Sequence, residues 1–264
     1  VNLKEWVIFA YGVIFATSTP YLKPKKRYLF PTAIMPFDKE LTFFLGGSGI
    51  CARLGSLVVN ANLNEAADEW RAHSEGATDL VLSSLSGAFG GAKEVQAIGA
   101  TTVYAHSDLP IETGFSFRNV RTETVLSIGD EAVRLIPVSG CASESDLVVF
   151  FEKRSVMMLG SLFVNRIHPV LQMGVSARAA RWISALEELL VRFKPSVCVP
   201  GEGQSGGPED VREFIRYLRS LTDPSVEFAY CRQNFDWMEI PRFTSLEENF
   251  DILRRNVKTH ASIR

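Results

Sequence analysis

Histidine is scarce in this sequence, with 4 in 264 residues, and no two stand at a spacing that would bring them to one metal ion. His73, His106, His168 and His260 are therefore expected at the surface, or as supports behind a site, rather than as ligands. The cysteines Cys51, Cys141, Cys198 and Cys231 lie far apart with no CxxC pair. That excludes a clustered thiol centre and predicts buried, reduced thiols, which fits a reducing compartment. Neither sign of charge dominates: the formal net charge of -2 gives no bulk electrostatic basis for binding nucleic acid. The glycine-rich stretches Gly46-Gly47-Ser48-Gly49 and Gly203-Gln204-Ser205-Gly206-Gly207 lack the Lys-Ser/Thr of a phosphate-binding loop and read as turns. No internal repeat or low-complexity tract interrupts the chain.

What is present is an ordinary globular composition, 46% hydrophobic, 22% charged and 11% aromatic, in a chain long enough to bury a large core. The first thirty residues differ from the rest. Residues 6–22, opening on Trp6 and closing on Leu22, carry no charge, and Lys23, Lys25, Lys26 and Arg27 follow directly. A membrane span needs roughly 20 apolar residues, so this segment sits at the lower limit, and Pro20 shortens any helix in it. Three readings stay open. It is a signal peptide with Lys4 at its positive end, a short membrane anchor with a basic flank, or an apolar arm that packs on the chain's own domain or on a partner. Left in water it is an aggregation hazard, so something is expected to cover it.

From about Lys39 onward, short apolar strands alternate with helices. Strands are expected at 41–45, 56–60, 79–82, 101–105, 121–127, 131–137, 146–151, 155–159 and 196–199, with 152–154 as a hairpin turn. Asn62 or Asn64 is placed to cap a helix carrying Ala66, Ala67 and Trp70, and a second helix is expected near 93–98. Trp182, Ile183, Leu186, Leu189, Leu190 and Phe193 recur at helical spacing. Pro208 opens a helix that buries Val211, Phe214, Ile215 and Leu218. Ser245-Leu246-Glu247-Glu248 forms a capping box before a helix with Phe250, Leu253 and Val257. Two series of strands, each followed by helices, give an α/β fold arranged as a four-layer αββα sandwich. The expected organisation is an arm over 1–30, the sandwich over 31–222, and a C-terminal extension over 223–264. That extension is rich in Phe228, Tyr230, Phe235, Trp237, Met238 and Phe243, which serve either as interface anchors or as packing on the domain.

Over residues 39–222 several motif frames resemble the metallo-β-lactamase superfamily. Asn60-Ala61-Asn62 is similar to the family's Asp-x-Gly after the second strand. Ser84-Leu85-Ser86-Gly87-Ala88-Phe89-Gly90-Gly91-Ala92 is similar to its HxHxDHxGG loop, and Val103-Tyr104-Ala105-His106 also looks family-like. Ser139 to Phe151, SGCASESDLVVFF, resembles GGAHTEGDLVVYF. Leu159-Gly160-Ser161-Leu162-Phe163 resembles L-G-D-L-F, and Pro200-Gly201-Glu202-Gly203 resembles P-G-H-G.

The frames occur in order at plausible spacings, yet the resemblance puts Ser84, Ser86, Ala88, Phe89, Ala142, Ser161 and Glu202 where the family's metal-site residues stand. A zinc site takes about three protein ligands plus an open position, and a two-metal site takes more. Alanine and phenylalanine donate no lone pair, and neutral serine hydroxyls are poor zinc ligands. One carboxylate without a histidine partner does not retain zinc. The expectation is a pseudoenzyme with no metal and no cofactor, retained as an accessory subunit of a larger, membrane-associated assembly inside the cell or an organelle. Its partners would be other protein subunits, with possible membrane contact through residues 6–22 and none with nucleic acid. The alternatives are a sensor that binds a small molecule in the vestigial cleft and a metal-independent hydrolase using Glu202 or a serine; the alternative location is the cytoplasm, or secretion through a signal peptide.

Overall fold

The computed structural model describes residues 33–46, 49–60, 74–83, 99–108, 117–171, 175–239 and 245–261. The expected arm over 1–30, the capped helix after Asn62 and the helix near 93–98 lie outside the described residues.

Seven strands form the first sheet in sequence order: β1 (Ala33–Pro36), β2 (Leu41–Gly46), β3 (Gly49–Leu54), β4 (Leu57–Val59), β5 (Asp79–Leu82), β6 (Thr102–His106) and β7 (Phe117–Val120). The first four run antiparallel, and β4 through β7 pair in parallel. Five strands form the second sheet: β8 (Thr124–Ile128), β9 (Glu131–Val138), β10 (Asp146–Phe151), β11 (Val156–Asn165) and β12 (Val197–Gly203), in the order β12-β11-β10-β9-β8. Only β11 and β12 pair in parallel there.

The two sheets face each other because alternate residues of each strand are apolar on the same side. Leu41 and Phe43 of β2, Ile50, Ala52 and Leu54 of β3, and Leu57 and Val59 of β4 meet Val133 and Leu135 of β9 and Leu147, Val149 and Phe151 of β10. Intervening residues face outward. On the first sheet Phe44, Cys51, Val58, Leu80 and Leu82 make a second buried cluster. Strands buried on both faces read as continuous apolar runs, which is why Asp79-Leu80-Val81-Leu82 and residues 146–151 were legible as strands.

On the far side of the second sheet lie α1 (Ala179–Phe193), entered through a 3-10 turn at Val175–Arg178, and α2 (Pro208–Thr222). The apolar stripe Trp182, Ile183, Leu186, Leu189 and Leu190 is buried as the helical spacing predicts, and the Trp182 indole donates to the Leu162 carbonyl at 2.8 Å. Pro208 opens α2, and the Asp210 carboxylate accepts from the Gly207 N–H at 2.8 Å. Two further helices, α3 (Phe228–Asn234) and α4 (Leu246–Ala261), join the same core through Cys231, Leu246 and Leu253. Ser245 caps α4 by accepting from the Glu248 N–H at 3.1 Å.

Phe235 and Trp237, candidates for interface anchors, are buried in this core: the Trp237 ring stacks 4.5 Å from Tyr217. Phe228 packs against Phe250, and Tyr230 is exposed. Phe243 lies outside the described residues.

Three strand expectations need correction. The strand β3, Gly49–Leu54, is absent from the sequence reading, which ran one turn from β2 to β4. With Gly49, Cys51, Ala52 and Arg53, it has in Ile50 a single one of the β-branched and aromatic residues that announce a strand, and its pairing with β2 and β4 supplies what propensity does not. The expected strand at 121–127 is β8, which begins only at Thr124; residues 121–123 cross to it from β7 of the first sheet, a strand just upstream that the sequence reading lacks. β11 continues past Leu159 to Asn165, because the ladder with β12 shifts register on either side of Gly160 and so carries the strand onward.

The four cysteines are buried thiols, as expected. His168 is no surface residue: it is 1% exposed, held against Tyr217. Among the described residues no helix is long and apolar enough to cross a membrane.

Candidate functional site

Parallel strands end together, so β4, β5 and β6 deliver Asn60, Ser83 and His106 to one edge of the first sheet. Asn60 turns the chain there with φ of 56°, a conformation asparagine tolerates better than most residues. Its N–H donates to the Val81 carbonyl at 2.8 Å, and its side-chain oxygen accepts from the Ser83 N–H at 2.9 Å. The Ser83 carbonyl in turn accepts from the Leu147 N–H at 2.7 Å, tying this edge to the head of β10 in the second sheet.

Asp146 opens β10 and is 1% exposed. One carboxylate oxygen accepts from the Ser143 N–H at 3.0 Å, and the other accepts from the Ser161 hydroxyl. Burial pushes its pKa upward, opposed by the bonds from Ser161 and Ser143 and by His106 nearby. His106 is buried as well. Its Nδ1 accepts from the Asp108 N–H at 3.1 Å, which leaves the proton on Nε2, 2.8 Å from the Ser139 hydroxyl. Both ring nitrogens are thus engaged within the fold.

The loop from Ser139 to Ser145 is pinned from outside. Arg181 donates to the Ser139 carbonyl at 2.6 Å, and Arg178 pairs with Glu144. Within it, burial raises the Cys141 thiol to about 11, so it is not a ready nucleophile. Ala142 is half-buried and packs on the helix-side core.

Gly160 and Gly201 bring β11 and β12 unusually close: a Cβ on Gly201 would stand 2.7 Å from the Gly160 carbonyl oxygen. A Cβ on Gly160 would meet the Ser83 hydroxyl at 3.2 Å. Ser83, Gly160-Ser161 and Gly201-Glu202 are therefore contiguous. Glu202 is half-buried, its carboxyl group has no hydrogen-bond partner among the described residues, and burial raises its pKa.

Of the positions singled out from the sequence, Ser161 and Glu202 share this edge, and Ala142 sits beside it with no donor atom. Ser84, Ser86, Ala88 and Phe89 lie outside the described residues. Asp146 went unnoticed as a site residue. The available signal was an acid at the head of a six-residue run buried throughout. The Ser83 hydroxyl, buried with no partner among the described residues, also went unnoticed, since nothing in the sequence distinguishes it from Ser84.

Among solved structures, the chain is similar to a metallo-β-lactamase from Pontibacter korlensis, with a TM-score of 0.57, 16% identity, and coverage of 72% of this chain and 99% of that one. The fold is that of the metallo-β-lactamases. The DIM-1 metallo-β-lactamase superposes with a TM-score of 0.56 at 13% identity, covering 72% of this chain and 97% of its own. A double mutant of the sec-alkyl sulfatase PisA1 gives 0.63 at 10% identity, covering 86% of this chain and 50% of that one. No protein-family model and no curated protein sequence matches the chain. Likeness at this identity carries the metallo-β-lactamase fold and leaves the chemistry to the residues present.

The metallo-β-lactamase fold implies a metal centre, and of the positions that the resemblance puts at its ligands, Ala142, Ser161 and Glu202 are among the described residues. Ala142 offers no lone pair, the Ser161 hydroxyl spends its hydrogen on Asp146, and Glu202 is a single carboxyl group in surroundings that favour its neutral form. Among the described residues no group of three His, Cys, Asp or Glu side chains converges as a metal site would require.

Proposed function

We propose that this metallo-β-lactamase-fold protein works without metal catalysis, as an accessory subunit of a larger, membrane-associated protein assembly. The observation that carries the reading is the bond from the Ser161 hydroxyl to Asp146. The resemblance puts a bridging aspartate at Ser161, and here that position is a neutral donor turned onto a carboxylate of the fold itself. Ala142, with no donor, and Glu202, without a histidine beside it, point the same way. The hydrophobic framework that positions these residues is meanwhile complete on both faces of the second sheet. A domain that keeps its framework and lacks its ligands is retained for its surface. The uncharged segment 6–22 with its basic flank is the contact expected to face a membrane or a neighbouring subunit.

Two measurements test this. Elemental analysis of the full chain purified without chelators is expected to give well under one zinc per protein, and stoichiometric zinc would end the metal-free reading. Native purification followed by mass spectrometry is expected to return the same partner chains reproducibly. A chain that is monomeric and soluble with residues 1–30 intact would refute the accessory role.

A further inference from the structure

The two sheets end on the strands β1, β7, β8 and β12, and all but β8 carry a device that discourages further pairing. β1 ends on Pro36, and β7 sets the exposed Arg118 on its edge. β12 is closed by its own chain, where Cys198 and Gly206 exchange backbone bonds at 2.8 and 2.9 Å. β8 has no such protection. Thr124-Val125-Leu126-Ser127-Ile128 includes no charge and no proline, and its register with β9 runs unbroken, without a bulge.

Bonding directions alternate along an antiparallel ladder. Ala132, opposite Ser127, turns its carbonyl to the Glu152 N–H at 3.1 Å, towards β10. Ser127, and Val125 two residues before it, therefore aim their backbone N–H and C=O groups away from β9, at the open side. That side meets water: Val125 is 48% exposed, and Ser127 is exposed. Leu126 and Ile128 pack only in part, at the margin of the core between the sheets.

The strand that fits here sets small uncharged residues beside Val125 and Ser127 and an apolar one against Leu126. β8 itself meets both conditions. With Leu126 on a two-fold axis, Val125 of each copy exchanges backbone bonds with Ser127 of the other, Leu126 meets Leu126, and Thr124 meets Ile128. The ends agree in charge. Exposed Arg121 precedes the strand, and Asp130, 66% exposed and bonded to Lys153, follows it. Antiparallel pairing brings the basic end of each copy to the acidic end of the other.

We propose that β8 is an interface between two copies of this chain, paired antiparallel about Leu126 so that their five-stranded sheets become continuous. The interface goes beyond the accessory role above and requires neither metal nor membrane. A single strand pair is a small contact, so the dimer is a weak, concentration-dependent one.

Sedimentation velocity of the full chain is expected to show monomer–dimer exchange between about 1 and 100 µM. Val125→Lys puts a charge in the new ladder, and Ser127→Pro removes an outward N–H while sparing the bonds to β9. Each is expected to weaken dimerisation about tenfold or more, with circular dichroism confirming the fold. Residues facing each other at a non-hydrogen-bonded position stand about 4.5 Å apart at Cα, within disulfide reach. Leu126→Cys is therefore expected to give a disulfide-linked dimer on mild oxidation, since the native thiols are buried. Val170→Cys, at a position 57% exposed in the segment after β11, is expected to stay unlinked. A monomer at every concentration, association unchanged in both β8 variants, or equal cross-linking through position 170 would overturn the pairing. The two readings fail separately: loss of self-association leaves co-purifying partner chains in place, and absence of such partners leaves the β8 dimer standing.

Discussion

Tyr217 is the residue on which the C-terminal helices depend, and Tyr217→Phe measures how much. The ring is 0% exposed and stacks on Trp237, contacts that phenylalanine keeps. Only the hydroxyl is lost. It accepts from the Asn249 side-chain N–H at 3.0 Å and therefore gives its own hydrogen to His168 Nδ1, 3.1 Å away. Asn249 also donates to the Pro169 carbonyl at 3.0 Å, so one of its two N–H groups stays satisfied in the variant. The other, and His168 Nδ1, become buried and unpaired at residues that are each 1% exposed. At about 1–1.5 kcal/mol for each, the expected loss is about 2–3 kcal/mol, which for a domain of this size lowers Tm by roughly 4–12 °C. Thermal and urea denaturation followed by circular dichroism read it. Asn249→Ala is expected to cost less in the Tyr217→Phe background than alone, because the two side chains share a bond. A Tm within about 1 °C of the parent, or strictly additive double-variant behaviour, would refute the idea that this triad fastens α4 to α2.

The same triad makes stability pH-dependent. Burial lowers the pKa of His168, with Glu239 and Asp236 opposing weakly, so its folded value lies below the ordinary 6.5. The unfolded chain then takes up the proton first, and stability is full above about 6.5 and falls as pH drops through it. His168→Asn should flatten that part of a denaturation-versus-pH curve; an unchanged slope would count against the assignment.

Arg154, with a side chain 10% exposed, joins Asp38 and Glu40 on the turn between β1 and β2 to Glu131, which is 1% exposed. Arg154→Met is expected to cost about 3–5 kcal/mol in urea unfolding, because Glu131 is left buried without a counter-charge, and Glu131→Gln in that background should recover much of the loss. Gly201→Ala drives a Cβ into the Gly160 backbone at 2.7 Å and should destabilise by about 2 kcal/mol or more. Gly129→Ala meets nothing within 4 Å and, being strained only through φ, should cost about 1 kcal/mol. Equal melting temperatures for the two glycine variants would contradict the close approach of β11 and β12.

The sequence by itself determined the elements whose physics is local. The stripe from Trp182 to Leu190 specifies α1, Pro208 and Ser245 mark the starts of α2 and α4, and the apolar run behind Asp146 specifies β10, because period and capping act within a few residues. It also determined the donor chemistry: Ala142 has no lone pair in any fold, and Ser161 is neutral wherever it lies. What the tertiary structure decided are relations across long separations. β3, poor in strand-forming residues, is a strand because β2 and β4 flank it. His168, in a stretch that reads as a loop, is core because Tyr217 and Asn249 close over it from α2 and α4. Asp146 receives the Ser161 hydroxyl, and the Ser83 hydroxyl lies against Gly160, because two sheets and a pair of facing glycines set those distances. Periodicity reports which side of an element is apolar, and it carries no record of which polar atom another element will bring within hydrogen-bonding reach.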